Sequence, residues 1–252
     1  MRTILALGGG GFTAQRSDPA LDELVLQLAD CPVPRILFLP TAGGDPHEQI
    51  HRFHAAFGDR PCEPEVLSLF RLADVRRPLR DIVLSHDVVY VGGGSMRNLL
   101  AIWQVHGLDR ILRDAWERGV VLAGLSAGAM CWFQGGVTTS AGAPEPTPGL
   151  GFLPGSLSVH AAEQPARRPV YLRAVADGTL PPGWMADDGV GLLFRDMELE
   201  RVVAARPSAR AARVEADGAV TTIEPDLIAP APRGVPADVR ELRAIRYGSP
   251  RG

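Results

Sequence analysis

Short, nearly continuous apolar runs alternate with stretches of helical period over the first half of the chain. Thr3–Leu7, Arg35–Leu39, Val88–Val91 and Val120–Leu125 have strand length, and glycine or proline punctuates their ends. Runs of that length that are apolar on successive positions suit strands buried on both faces, as in a parallel sheet covered by helices. The intervening helical stretches are Asp18–Ala29, capped by Ser17 or Asp18, then Pro46–Phe57 with proline in its first turn, Met96–Val105 and Asp109–Arg118. Glu65–Leu69 is a candidate for a further strand, and Ala127 starts another helix. The pattern predicts an α/β fold with a mostly parallel sheet and helices on both faces.

The texture changes near residue 135. Residues 135–155 hold six glycines and four prolines without a period, which predicts a long surface loop of the kind that carries function. Beyond it, Val190–Phe194, Val202–Ala205, Ala212–Glu215 and Ala219–Ile223 read as short strands. With the turn Ala216-Asp217-Gly218 they predict a C-terminal antiparallel β hairpin appended to the main sheet. With no repeat and no linker, residues 1–252 are expected to form a single domain.

Composition narrows the chemistry. The 252 residues are 46% hydrophobic and 22% charged, as in soluble globular proteins, and no apolar run approaches the roughly 20 residues needed to span a membrane. A net charge of −3 provides no global basic field for nucleic acid or an anionic membrane. All 26 basic residues are arginine, so a Schiff-base lysine, a Walker lysine and a Ser–Lys dyad are excluded. Three cysteines without CxxC spacing, Cys31, Cys62 and Cys131, argue against both a disulfide framework and a cysteine-built zinc site. The chain starts on a strand-like segment rather than a signal peptide, so a cytoplasmic location is expected.

The segment Gly124-Leu125-Ser126-Ala127-Gly128 joins an apolar strand to a helical stretch. That is the context a GxSxG nucleophile elbow requires: small neighbours permit a sharp turn that exposes the serine, and the helix start behind it favours developing negative charge. The N–H of Ala127 is a candidate oxyanion donor, and a glycine of Gly92-Gly93-Gly94 could present a second. An elbow serine needs a base, and His160 is the one histidine downstream of Ser126. His47, His51 and His54 share a helical spacing but lack an HExxH pattern, so they read as a solvated face, and neither a metal nor another cofactor is expected. The Gly8–Gly11 run lacks GxGxxG spacing and reads as a tight strand exit that admits substrate or packs near the elbow. Cys131, five residues into the helix, is not placed to be the nucleophile.

Together, "GLSAGAMCWF", "VVYVGGGSMRNLLAIW", "GLGFLPGSLSVH" and "MADDGVGLLF" resemble the peptidase E family of serine peptidases, relatives of the α-aspartyl dipeptidases and cyanophycinases. The similarity runs over about residues 3–215. It implies a fold like the class I glutamine amidotransferases, Ser126 as nucleophile, His160 as base, and the N–H groups of Gly94 and Ala127 as oxyanion hole. The stretch where the aspartyl dipeptidases carry a triad acid, Val137-Thr138-Thr139-Ser140-Ala141, has no carboxylate here. Glu163 is therefore the expected third member, with Glu145 as the alternative and Asp187 or Asp188 farther along. Ser95 stands where the family usually has asparagine, so Ser95, Arg97, Arg167 and Arg168 are the candidate substrate-binding residues, and a preference broader than N-terminal aspartate is expected. The resulting expectation is a serine peptidase of dipeptidase or exopeptidase type acting on short peptides, with a homodimer left open. The rivals are an esterase or amidase using the same elbow and a catalytically inactive relative that binds a small ligand.

Overall fold

The apolar runs become neighbours in one sheet. A computed structural model describes residues 1–14 and 19–230. Its first half alternates β1 (Thr3–Leu7), α1 (Pro19–Gln27), β2 (Arg35–Leu39), α2 (His47–Phe57), β3 (Glu63–Val66), α3 (Leu79–Leu84), β4 (Val88–Val91), α4 (Met96–His106), α5 (Leu108–Glu117), β5 (Val121–Leu125) and α6 (Ala127–Met130). The expected cap of the first helix, Ser17 or Asp18, lies outside the described residues. The second half contains β6 (Phe133–Thr138), β7 (Glu145–Pro148), β8 (Leu153–Val159), α7 (Arg167–Ala176), β9 (Gly183–Ala186), β10 (Val190–Arg195), β11 (Glu198–Ala204), β12 (Ala211–Val214), β13 (Val220–Ile223) and β14 (Asp226–Leu227).

The main sheet has the order β14-β11-β10-β1-β5-β4-β2-β3, and its strands from β1 to β3 are mutually parallel. Successive side chains on a strand point to opposite faces, and both faces are apolar. Ile4, Ala6, Leu37, Leu39, Val89, Val91 and Leu122 face a core with Leu99 and Trp103 of α4 and Leu112 and Trp116 of α5. Leu5, Leu7, Ile36, Phe38, Val88 and Tyr90 face Leu21 and Val25 of α1 and Phe53 and Phe57 of α2. The expected α/β architecture, with helices on both sides of a mostly parallel sheet, is the one found.

A second sheet, β13-β12-β9-β8-β6-β7, shares the first core through Phe133, Leu153, Leu157 and Val159, and α7 packs on it through Tyr171, Ala174 and Val175. This sheet corrects two expectations. The segment 135–155 is not a loop, because β6, β7 and the start of β8 run through it. Its glycines mark close backbone approach: a Cβ on Gly136 would lie 2.3 Å from the carbonyl oxygen of Leu157. Its prolines Pro146 and Pro148 sit on β7, an edge strand, where a missing N–H is tolerated. The antiparallel hairpin around Ala216-Asp217-Gly218 also exists, but it joins the second sheet through β12 and β9. On the main sheet the antiparallel additions are β10, beside β1, and β11.

Candidate active site

Strand β5 leads directly into Ser126, whose backbone takes φ 56° and ψ −116° before α6 begins. A positive φ is unfavourable for a non-glycine residue and persists only where surrounding structure over-determines it. Both glycines of the motif do so. A Cβ on Gly124 would lie 2.0 Å from the carbonyl oxygen of Gly128, and one on Gly128 would lie 2.4 Å from that of Val91. The elbow is therefore wedged against the end of β4, and the Ser126 N–H is tied to the Leu7 carbonyl of β1 at 3.1 Å.

The glycine triplet after β4 abuts this turn. A Cβ on Gly93 would come 3.1 Å from Cβ of Ser126, and one on Gly94, at φ 147°, would come 2.1 Å from the Ala42 carbonyl oxygen. Ala127 is the first residue of α6, where an N–H has no acceptor within the helix.

From the second sheet, β8 delivers His160, also left-handed at φ 57°. Its Nε2 lies 2.9 Å from Oγ of Ser126, and its Nδ1 contacts Oδ1 of Asp188. Serine, imidazole and carboxylate thus form one hydrogen-bonded line, with His160 and Asp188 only partly exposed.

The family model for peptidase family S51 matches residues 4–202. The chain belongs to peptidase family S51. As a family member it is a serine-type peptidase, a hydrolase. It is 46% identical over 214 residues to the uncharacterized peptidase YgaJ of Bacillus subtilis (strain 168), covering 85% of this chain and 92% of that one. Among solved structures, a peptidase from an acI-B1 Actinobacterium superposes with a TM-score of 0.67 at 18% identity, over 91% of this chain and 96% of that one. A putative peptidase E protein from Listeria monocytogenes EGD-e gives 0.54 at 15% identity, over 89% and 98%. These two likenesses concern the fold.

In this S51 peptidase the carboxylate at His160 is neither of the two acids favoured from sequence. Glu145, at the start of β7, pairs with Arg97 at 2.9 Å. Glu163 is carried round the exposed turn after His160, and its Oε2 accepts the N–H of Asp188 at 3.3 Å. The physical reason is strand register. β8 and β9 are parallel with Val159 opposite Ala186, so the residues just past Ala186 emerge beside His160. The signal was available in "MADDG", an acidic pair directly after a strand, but reading it required knowing which strand neighbours β8.

The candidate substrate contacts are distributed differently from expectation. Ser95 caps α4, its hydroxyl accepting the Asn98 N–H at 3.2 Å. Arg97 is exposed and held by Glu145, and Arg168 is exposed on α7. Arg167 is only 4% exposed and spends its donors on Gln164 Oε1 at 2.7 Å, the Val137 carbonyl at 3.0 Å and Thr139 Oγ1 at 3.1 Å. Burial lowers its pKa, while the nearby charge of Asp188 acts in the opposite direction. Arg167 is thus a buried strut rather than an open cation.

Other groups fall into place around the line. Burial pushes the Cys131 thiol well up, which disfavours the reactive thiolate. His47, His51 and His54 stand on the exposed face of α2. Among the described residues, His160, Glu163 and Asp188 could offer a cation three ligand atoms within 4.8 Å of one another; two of these residues, His160 and Asp188, are the pair in contact through Nδ1 and Oδ1.

Sequence reasoning did not single out Gly9 within the glycine run after β1. A Cβ there would lie 2.2 Å from Oδ1 of Asp188 and 2.9 Å from Cε1 of His160. Gly9→Ala is therefore expected to displace the imidazole–carboxylate pair and lower kcat by about 100-fold or more, the cost of an ångström-scale misplacement. Steady-state kinetics alongside a thermal melt checks this, and an unchanged kcat in a folded variant would contradict the cradle.

Proposed function

We propose that this S51 peptidase is a dipeptidase or exopeptidase that cleaves short peptides through Ser126, His160 and Asp188. The carrying observation is the 2.9 Å approach of His160 Nε2 to Oγ of Ser126 at a left-handed elbow. Asp188 accepts a hydrogen bond from the Nδ1–H of the imidazole, which keeps the proton on Nδ1 and leaves Nε2 free to take the serine proton. Ser126 Oγ then attacks the scissile carbonyl, and the resulting oxyanion is received by the N–H groups of Gly94 and Ala127. His160 passes the Nε2 proton to the leaving amine, and water releases the acyl group by the same route. No step needs a metal or cofactor. The contact with Asp188 supports this reading over an inactive ligand-binding relative, since an acid does stand at the imidazole.

Asp188→Asn is expected to leave the fold intact and lower kcat by about 10⁴-fold, because an amide cannot fix the tautomer or stabilise the imidazolium. Glu163→Gln keeps an acceptor for the Asp188 N–H and is expected to change kcat by less than about tenfold. Steady-state assays of both variants check the assignment, and the reverse ranking would return Glu163 to the triad.

Specificity follows from the charges. Ser95 is engaged as a cap, Arg97 in an ion pair and Arg167 in a buried network, which leaves exposed Arg168 as the one guanidinium of the candidate set for an aspartyl side chain. We infer a preference broader than N-terminal aspartate. Comparing kcat/KM for Asp-, Ala-, Leu- and Met-initiated dipeptides tests this. Values within about tenfold support it, and an aspartate preference beyond about 100-fold, ~2.7 kcal/mol, overturns it. Turnover of simple esters or amides with none of the dipeptides would instead favour an esterase or amidase.

The cellular setting belongs to the same reading. The net charge of −3 suits an enzyme without a nucleic-acid partner, and we place it in the cytoplasm. No helix among the described residues is long and apolar enough to cross a membrane.

A further inference from the structure

The acid next to Asp188 makes contacts that proton transfer does not use. Asp187 Oδ1 accepts the N–H of Ala162 at 3.0 Å, and its Oδ2 accepts the N–H of Arg210 at 2.9 Å. The donors lie 25 and 23 residues away in sequence, so one carboxylate joins the His160 turn, the β9–β10 turn and the segment before β12. Two other turn acids act locally, Asp177 accepting the N–H of Thr179 at 3.0 Å and Asp217 that of Ala219 at 2.9 Å, each two residues on, whereas Asp187 spans two distant donors.

The main chain of Asp187 is itself fixed. Its N–H donates to the Arg210 carbonyl at 3.0 Å, its carbonyl accepts the Val190 N–H at 3.2 Å, and a Cβ on Gly8 would lie 2.2 Å from that carbonyl oxygen. The side chain therefore reaches from a rigid base to a turn that starts in a conformation uncommon for non-glycine residues, φ 57° at His160. Further ties of the turn include the Ala161 N–H to the Ala186 carbonyl at 3.2 Å, the Glu163 contact with the Asp188 N–H, the Gln164 N–H to the His160 carbonyl at 2.8 Å and Gln164 Oε1 to Arg167 Nε at 2.7 Å.

We propose that Asp187 is a positioning residue whose carboxylate, bridging the N–H groups of Ala162 and Arg210, holds the His160 turn so that the imidazole meets Ser126 and Asp188 together. The proposal rests on the Ser126–His160–Asp188 reading above. A carboxylate suits the task because both oxygens accept. An amide would turn an N–H toward one of the two donors and open the clasp on that side.

The test compares Asp187→Asn with Asp217→Asn, a control acid on the distant hairpin, and with His160→Ala. Asp187→Asn is expected to lower kcat by about 100-fold while KM stays within about threefold, since binding groups are untouched and the reacting geometry is displaced. The far-downfield proton resonance of the His160–Asp188 hydrogen bond is expected to weaken or move, a change that lost stability alone would not produce in a folded sample. Asp217→Asn should behave as wild type. If Asp187→Asn does not fold, Asp187→Ser, which retains one acceptor, is measured in its place. A folded variant with wild-type kcat and an unmoved resonance would overturn the proposal, as would failure of both variants to fold, which would make the clasp a support of the fold rather than of the histidine. An active His160→Ala would refute the triad itself, a result distinct from an inactive His160→Ala beside a fully active Asp187→Asn.

Discussion

Ser126 and His160 both occupy left-handed backbone, at φ 56° and 57°, a strain of order 1–3 kcal/mol for each. Close contact between backbones at the ends of parallel strands holds the two residues there. Leu7 of β1 pairs with Leu125 of β5, and Val159 of β8 with Ala186 of β9, so both pairs of strand ends deliver their next residues side by side. The sheets meet at Gly8 and Gly9, where a Cβ would strike Asp187 or Asp188. Glycine matters at these points because the Asp187 main chain, at Gly8, and the Asp188 and His160 side chains, at Gly9, lie too close for a Cβ. The elbow serine, the histidine and the carboxylate come from three separate strand ends, and their line depends on this contact.

Buried polar groups extend the same constraint outward. Arg167 touches the end of β6 through Val137, the following Thr139, and Gln164 in the histidine turn. The planar guanidinium holds several acceptors at fixed angles, which a lysine ammonium on a flexible stem would do poorly. In a chain whose basic residues are all arginine, such a strut joins the end of β6 to the histidine turn and is not itself an open cation.

Much of this was legible locally. Unbroken apolar runs at β1, β2, β4 and β5 identified a sheet buried on both faces, and a GxSxG between strand and helix marked the elbow at Ser126. The least legible parts depended on partners distant in sequence. Gly135, Gly136, Pro146 and Pro148 look like loop residues when read alone, yet the glycines lie where strands come close and the prolines on an edge strand. Glu163 drew attention by standing three residues from His160, whereas Asp188 reaches the imidazole through the pairing of β8 with β9. Register between strands is not written in either strand alone, and the orienting acid depends on register.

The central claim is that Ser126 is a nucleophile activated by His160. Treatment of the folded protein with a fluorophosphonate, followed by intact-mass measurement and peptide mapping, tests it most directly. The account predicts one adduct per chain, mapped to Ser126, with labelling slowed by orders of magnitude in His160→Ala. An unlabelled wild-type protein, or an adduct mapped to another residue, would contradict it.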